Sequence, residues 1–127
     1  MDTKMKLLLK FLTPILLLIS SYSLSNDLGS KYTQKEILKN WTLSRCLGKV
    51  YNNPMIKNDA NSTASAFLEF SKQPIETFYA LDSLAEKYTK LKYTGEIHSN
   101  FNTMKCIDLF YSQELSNTID QQLSKKK

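Results

Sequence analysis

"TQKEILKNWTLSRCLGKVYNNP", residues 33–54, decides the architecture of this chain. Thr33 and Glu36 have the spacing of a capping box, in which the threonine oxygen takes the amide three residues on and the glutamate reaches back to the cap amide. Behind that start Ile37, Leu38, Trp41, Cys46, Leu47, Val50 and Tyr51 recur at helical spacing and make one broad apolar face. Asn52, Asn53 and Pro54 close the helix, because the residue before a proline is pushed out of the α region. Trp41, the sole tryptophan, is expected in the core. Gly48 costs a helix about 1 kcal/mol relative to alanine. It is either a tolerated imperfection or, with Ser44 one turn earlier, a small patch where a second helix comes close.

The same pattern continues outward. A second helix is expected from Asn58 or Asp59 through "ANSTASAFLEF", with Ala60, Ala64, Phe67 and Leu68 on one face. A third begins with Pro74 at its first position, where the missing amide costs nothing. Its burial candidates are Ile75, Phe78, Tyr79, Leu81, Leu84, Ala85, Tyr88 and Leu91. A last helix from Asn100 or Asn102 carries Met104, Ile107, Tyr111, Leu115 and Ile119, with Cys106 and Phe110 on an adjoining stripe. Between the third and last helices, "KYTGEIHSNFN" has no helical period and reads as a loop, long for a connection inside a compact helical domain. With three glycines and three prolines in 127 residues there is little turn chemistry for a many-stranded sheet. The expectation is an all-α, compact single-domain bundle of four main helices.

Residues 1–25 have a different character. Lys4, Lys6 and Lys10 precede or interrupt the apolar run "LLLKFLTPILLLIS", and Ser23 and Ser25 stand third from last and last before a cleavage site. That is the layout of a secretory signal peptide. The uninterrupted apolar stretch is shorter than the roughly twenty residues needed to span a bilayer, so no stable membrane anchor is expected. The mature domain is then residues 26–127, starting with a flexible lead-in over 26–32. Removing three lysines and one aspartate leaves fourteen basic and eleven acidic residues, and Lys125, Lys126 and Lys127 supply that whole excess. A body that is neutral without its tail gives no support for nucleic-acid binding.

Chemistry is scarce. An exported chain with two cysteines, Cys46 and Cys106, has one intramolecular bridge available. Closing a loop of about 60 residues, it would contribute about 4 kcal/mol from chain entropy. The competing readings are two buried free thiols, or a thiolate–imidazolium pair with His98, which would need an accessible thiol and a base within reach. Two thiols and one histidine make at most three metal ligands, without the spacing that preorganises them. No metal or cofactor is expected. Asp82 and Glu86, four apart, read as surface charge on a solvated helix face. The glycosylation sequons at residues 40–42 and 61–63 fall in expected helices and are set aside.

Four blocks, "NWTLSRCLGKVY", "DANSTASAFLEF", "PIETFYALDSLAEKYTKLKYTG" and "FNTMKCIDLFYSQEL", together resemble the fourth family of type VI secretion amidase immunity proteins. The W-x-L-S-R-C block with N-T-M-K-C-I-D-L is the specific part. The resemblance implies a small, helical, periplasmic homodimer that is not an enzyme. It would bind and inhibit a cognate peptidoglycan amidase by occluding the active-site cleft with a protruding loop and a helix. A loop suited to a cysteine-hydrolase cleft offers polar groups and is held at both ends by rigid helices. Lys92, Tyr93, Thr94, Gly95, Glu96, His98, Ser99 and Asn100 meet that description, with Tyr93 as an aromatic anchor, unless the segment is a mere connection. A second candidate surface is residues 52–62. The other reading of the chain is a secreted helical binding protein for another cell-wall hydrolase or an envelope partner.

Overall fold

A computed structural model describes residues 28–125. Residues 1–27, on which the expected signal peptide falls, and Lys126 and Lys127 lie outside the described residues. Six helices follow in order: α1 (Leu28–Lys31, a single turn), α2 (Gln34–Val50), α3 (Pro54–Phe70), α4 (Ile75–Thr89), α5 (Asn102–Tyr111) and α6 (Gln113–Ser124). The described chain is all helix and loop.

The α2 start forms as its sequence dictates. Thr33 N–H donates to Glu36 Oε2 at 2.8 Å, and Glu36 N–H donates to Thr33 Oγ1 at 3.2 Å. The backbone hydrogen bond from Thr33 holds the Glu36 carboxyl below its ordinary pKa. α2 then packs against α3, α4, α5 and α6, so its broad apolar face is the centre of the molecule. Ile37, Leu38 and Trp41 join Ala64, Phe67, Phe78, Leu81, Leu109, Leu115 and Ile119 in one buried cluster. Trp41 meets Phe78 edge-on, ring centroids 4.9 Å apart.

Gly48 is a contact point between α2 and α3. A Cβ there would stand 2.9 Å from Asn61 Oδ1 and 3.6 Å from the Ala60 Cβ. The small-residue patch therefore serves close helix approach. Asn61 Oδ1 also accepts from Arg45 Nη1 at 3.0 Å.

Four boundaries differ from the sequence expectation. α3 begins at Pro54 because Asn53 caps it, accepting from the Met55 and Ile56 amides, so one "NNP" both ends α2 and starts α3. Pro74 is the cap of α4 and Ile75 its first helical residue. The lead-in contains the α1 turn, and Tyr32 behind it rests edge-on against Phe67 with centroids 5.6 Å apart. The single last helix is two: Ser112 leaves the helical region at ψ 143, and its hydroxyl accepts from Leu115 N–H at 3.0 Å to cap α6.

α5 turns its cysteine stripe inward. Cys106 and Leu109 face the core, while Met104, Ile107 and Tyr111, assigned to the core by periodicity, are 41%, 49% and 77% exposed. Leu68, Ile75, Tyr79 and Leu91 likewise lie on the surface. Leu68, Ile75 and Tyr79 rim a concavity of about 290 Å³ above Trp41 and Phe78.

Asp82 and Glu86 are no simple solvated pair. Asp82 takes Arg45 Nε at 2.8 Å and Lys49 Nζ at 3.1 Å, and Lys49 reaches Glu86 at 3.3 Å. The network ties α2 to α4. Burial pushes the Asp82 carboxyl up, but the hydrogen bonds and charges of Arg45 and Lys49 outweigh it and hold the pKa below the ordinary value.

Candidate functional site

The Cys46 and Cys106 sulfurs are bonded, with 5.6 Å between the Cα atoms, joining α2 to α5. Both residues are buried. The thiolate–imidazolium reading falls with that bond, since both thiols are consumed. Among the described residues no group of three His, Cys, Asp or Glu side chains converges on a point that could hold a metal ion.

The disulfide fixes the start of α5, and the start of α5 fixes the loop. Asn102 Nδ2 donates to the Val50 carbonyl at 2.9 Å, and the Tyr51 hydroxyl is hydrogen-bonded to Thr103 Oγ1. The end of α2 is thereby tied to the exit of the loop. At the entry, the Lys90 and Leu91 amides close onto the Lys87 and Tyr88 carbonyls at the end of α4. One turn before, Lys87 pairs with Glu114 of α6 at 2.7 Å, and that carboxylate raises the Lys87 pKa.

Between these anchors residues 91–101 have no helical or strand structure. Lys92, Thr94, Gly95, Glu96, His98, Ser99 and Asn100 are all exposed along this one connection between α4 and α5. Space is open around Gly95, and nothing stands within 4 Å of where a Cβ would go. The turn curls around a concavity of about 650 Å³ lined by Tyr93, Thr94, Gly95, Ile97, His98, Ser99 and Asn100.

Tyr93 is held against α5 and the end of the loop. Its hydroxyl donates to Asp108 Oδ2 at 2.6 Å and its ring meets Phe101 edge-on at 6.0 Å. It is half-buried at the base of the loop rather than at the tip. Burial, then the hydrogen bond to Asp108 and the charge behind it, push the Tyr93 pKa up to about 12. Phe101 closes the loop in the left-handed region, φ 49 and ψ 42. The apolar group at the tip is Ile97, 73% exposed, which sequence reasoning passed over. Its signal was present: a lone branched apolar residue between Glu96 and His98 in an otherwise polar segment.

The second candidate surface, residues 52–62, lies at the start of α3 and exposes Met55 (81%) and Ile56 (42%). It stands apart from the loop in the chain and shares none of its anchors. Among the described residues no helix is long and apolar enough to cross a membrane.

The described chain is thus a disulfide-linked helical bundle that carries one exposed, polar, non-helical loop between α4 and α5. Residues 36–119 match the family Tai4, type VI secretion system (T6SS) amidase immunity protein, and the chain belongs to that family. Its fold is shared by the solved effector–immunity system Tae4/Tai4 from Salmonella typhimurium, at 50% identity over 77% of this chain and 97% of that one, TM-score 0.72. The effector Tae4 from Salmonella typhimurium in complex with Tai4 from Enterobacter cloacae matches at 29% identity over 73% and 95%, TM-score 0.65. A protein among the type VI-secreted toxins and self-resistance proteins of Serratia marcescens has the same fold, TM-score 0.68 over 85% and 86%, at 24% identity. Comparison with curated proteins gives no match.

Proposed function

We propose that this protein is a periplasmic immunity protein that binds a type VI secretion peptidoglycan amidase and inhibits it, without catalysing a reaction itself. The N-terminal segment directs export and is removed, and the mature chain acts as a homodimer. Inhibition is by occlusion: residues 92–100 enter the active-site cleft of the amidase and keep the peptide stem out. The observation that carries the reading is the loop itself, a protruding polar turn held at both ends by a disulfide-linked bundle, in a chain of the amidase-immunity family.

The contact chemistry follows from what the turn offers. Thr94, Ser99 and Asn100 supply neutral hydrogen-bonding groups, Glu96 and His98 supply polar groups of another kind, and Ile97 supplies apolar area. A site built from thiol, imidazole and carboxyl groups accepts such partners, and a loop with fixed ends loses little entropy on docking. The Salmonella typhimurium effector, solved with an Enterobacter cloacae immunity protein, is a workable probe. Mixed with it at near-stoichiometric amounts, the mature protein should stop cleavage of purified peptidoglycan. Replacing Glu96, Ile97 and His98 together by alanine should weaken binding at least tenfold while helicity stays unchanged. Binding that survives this change would move the contact away from the loop.

A further inference from the structure

The seven residues 94–100 are all exposed and receive almost no support from one another. The hydrogen bond that links the turn to itself is Phe101 N–H to Ser99 Oγ, 3.1 Å. Exposed chain with so few internal contacts does not hold one shape by packing. Its base, in contrast, is over-determined. Tyr93 and Phe101, the residues that bracket the turn, meet edge to face at 6.0 Å. The Tyr93 hydroxyl crosses to Asp108, nearly two turns into α5, at 2.6 Å. Phe101 holds a left-handed backbone, which a residue with a Cβ adopts only when its surroundings impose it. Its carbonyl accepts from Lys105 N–H at 3.2 Å, so the unusual residue is built into the first turn of α5. The next residue, Cys106, fastens that helix to α2.

The geometry points to Tyr93, Phe101 and Asp108 as a neck that sets the direction and shape of the 94–100 turn before a partner arrives. These are positioning residues: they act through the turn. The inference rests on the reading of this loop as the inhibitory contact, and it adds how the loop is kept ready. A turn that is already in its binding shape associates without waiting for a rare conformer. If the neck loosens, the competent fraction falls and the apparent dissociation constant rises by its reciprocal. That loss appears in the association rate. Removing a group that touches the partner appears mainly in the dissociation rate.

The test uses the mature protein with Tyr93→Phe, Asp108→Ala and Asp108→Asn. Phenylalanine keeps the ring on Phe101 and removes only the donor, while asparagine keeps an acceptor for it. In the free protein, ¹⁵N relaxation should show order parameters of residues 94–100 falling in Tyr93→Phe and Asp108→Ala, with the helices unchanged and Asp108→Asn partly restored. Against the Salmonella typhimurium effector the first two should slow association about tenfold and leave dissociation within twofold. Unchanged order parameters in both variants overturn the neck, whatever the binding data show. A loosened turn with normal association also overturns it as a positioning device. Failure of the loop reading has a different signature: Glu96, Ile97 and His98 replaced by alanine would leave effector binding intact while relaxation still reports the neck.

Discussion

Gly48 and Asn61 meet where α2 crosses α3: an added Cβ would stand 2.9 Å from Asn61 Oδ1, so a methyl group fits only if the Asn61 amide shifts. That oxygen is already committed to Arg45. Gly48→Ala therefore sets two effects against each other. Helix propensity favours alanine by about 1 kcal/mol. Displacing Asn61 sacrifices a hydrogen bond to a charged group, about 1.5–3 kcal/mol. The expected net is destabilisation by about 1 kcal/mol in urea titration. In an Asn61→Ala background the conflict is gone, and the same substitution should stabilise. A destabilising Gly48→Ala in both backgrounds would refute the explanation.

The Cys46–Cys106 bond closes residues 46–106 into one loop, leaving α1, most of α2 and all of α6 outside it. Cys46→Ser with Cys106→Ser should lower stability by about 2–4 kcal/mol. The oxidised protein should have a mass two units below the fully reduced chain. Free thiol detected after denaturation without reductant would count against the bridge.

Acid should act through Asp82. Its folded pKa lies below the unfolded value, so its contribution is present above the unfolded pKa and is lost as pH falls through the folded one. The Arg45 and Asp82 side chains are 31% and 32% exposed, so screening leaves only about 1 kcal/mol. Asp82→Asn should cost that amount at neutral pH and almost nothing once pH is well below the ordinary aspartate range. Equal costs at both pH values would show that shape, not charge, is what asparagine fails to supply.

Alkali should act through Tyr93. Its folded pKa is pushed up to about 12, above the unfolded value of roughly 10. The contribution is therefore complete below the unfolded pKa and is lost as pH rises through the folded one. Ultraviolet titration should find a tyrosine ionising near the upper value, and Tyr93→Phe should abolish that late step. A late step that persists in Tyr93→Phe would assign it to another ring.

Local chemistry made some elements legible and long-range chemistry hid others. The Thr33–Glu36 box needs only four residues to declare itself, and it forms as expected. α5 was harder because it carries two apolar stripes, and period alone does not say which one turns inward. Cys106 held the answer: once it is bonded to Cys46, Leu109 must face the core and Ile107 the solvent. Ser112 falls inside the one last helix that the apolar spacing predicts, yet serine competes for backbone partners and favours caps, and it caps α6. The protruding turn was visible as missing periodicity. Its neck was not, because Tyr93 and Asp108 are fifteen residues apart and a left-handed phenylalanine has no signature in sequence.

The position of α2 also has a consequence in time. α2 touches every later helix of the bundle, and its face is completed by Leu115 and Ile119 near the other end of the chain. A ribosome making roughly 5–20 residues per second needs about 4–16 seconds to go from Trp41 to Ile119. Until it ends, Ile37, Leu38 and Trp41 lack the last members of the cluster that covers them in the finished bundle. Synthesis therefore makes the central seam first and its last cover only at the end, so part of that strip of helix stays open to other apolar surfaces until α6 is in place.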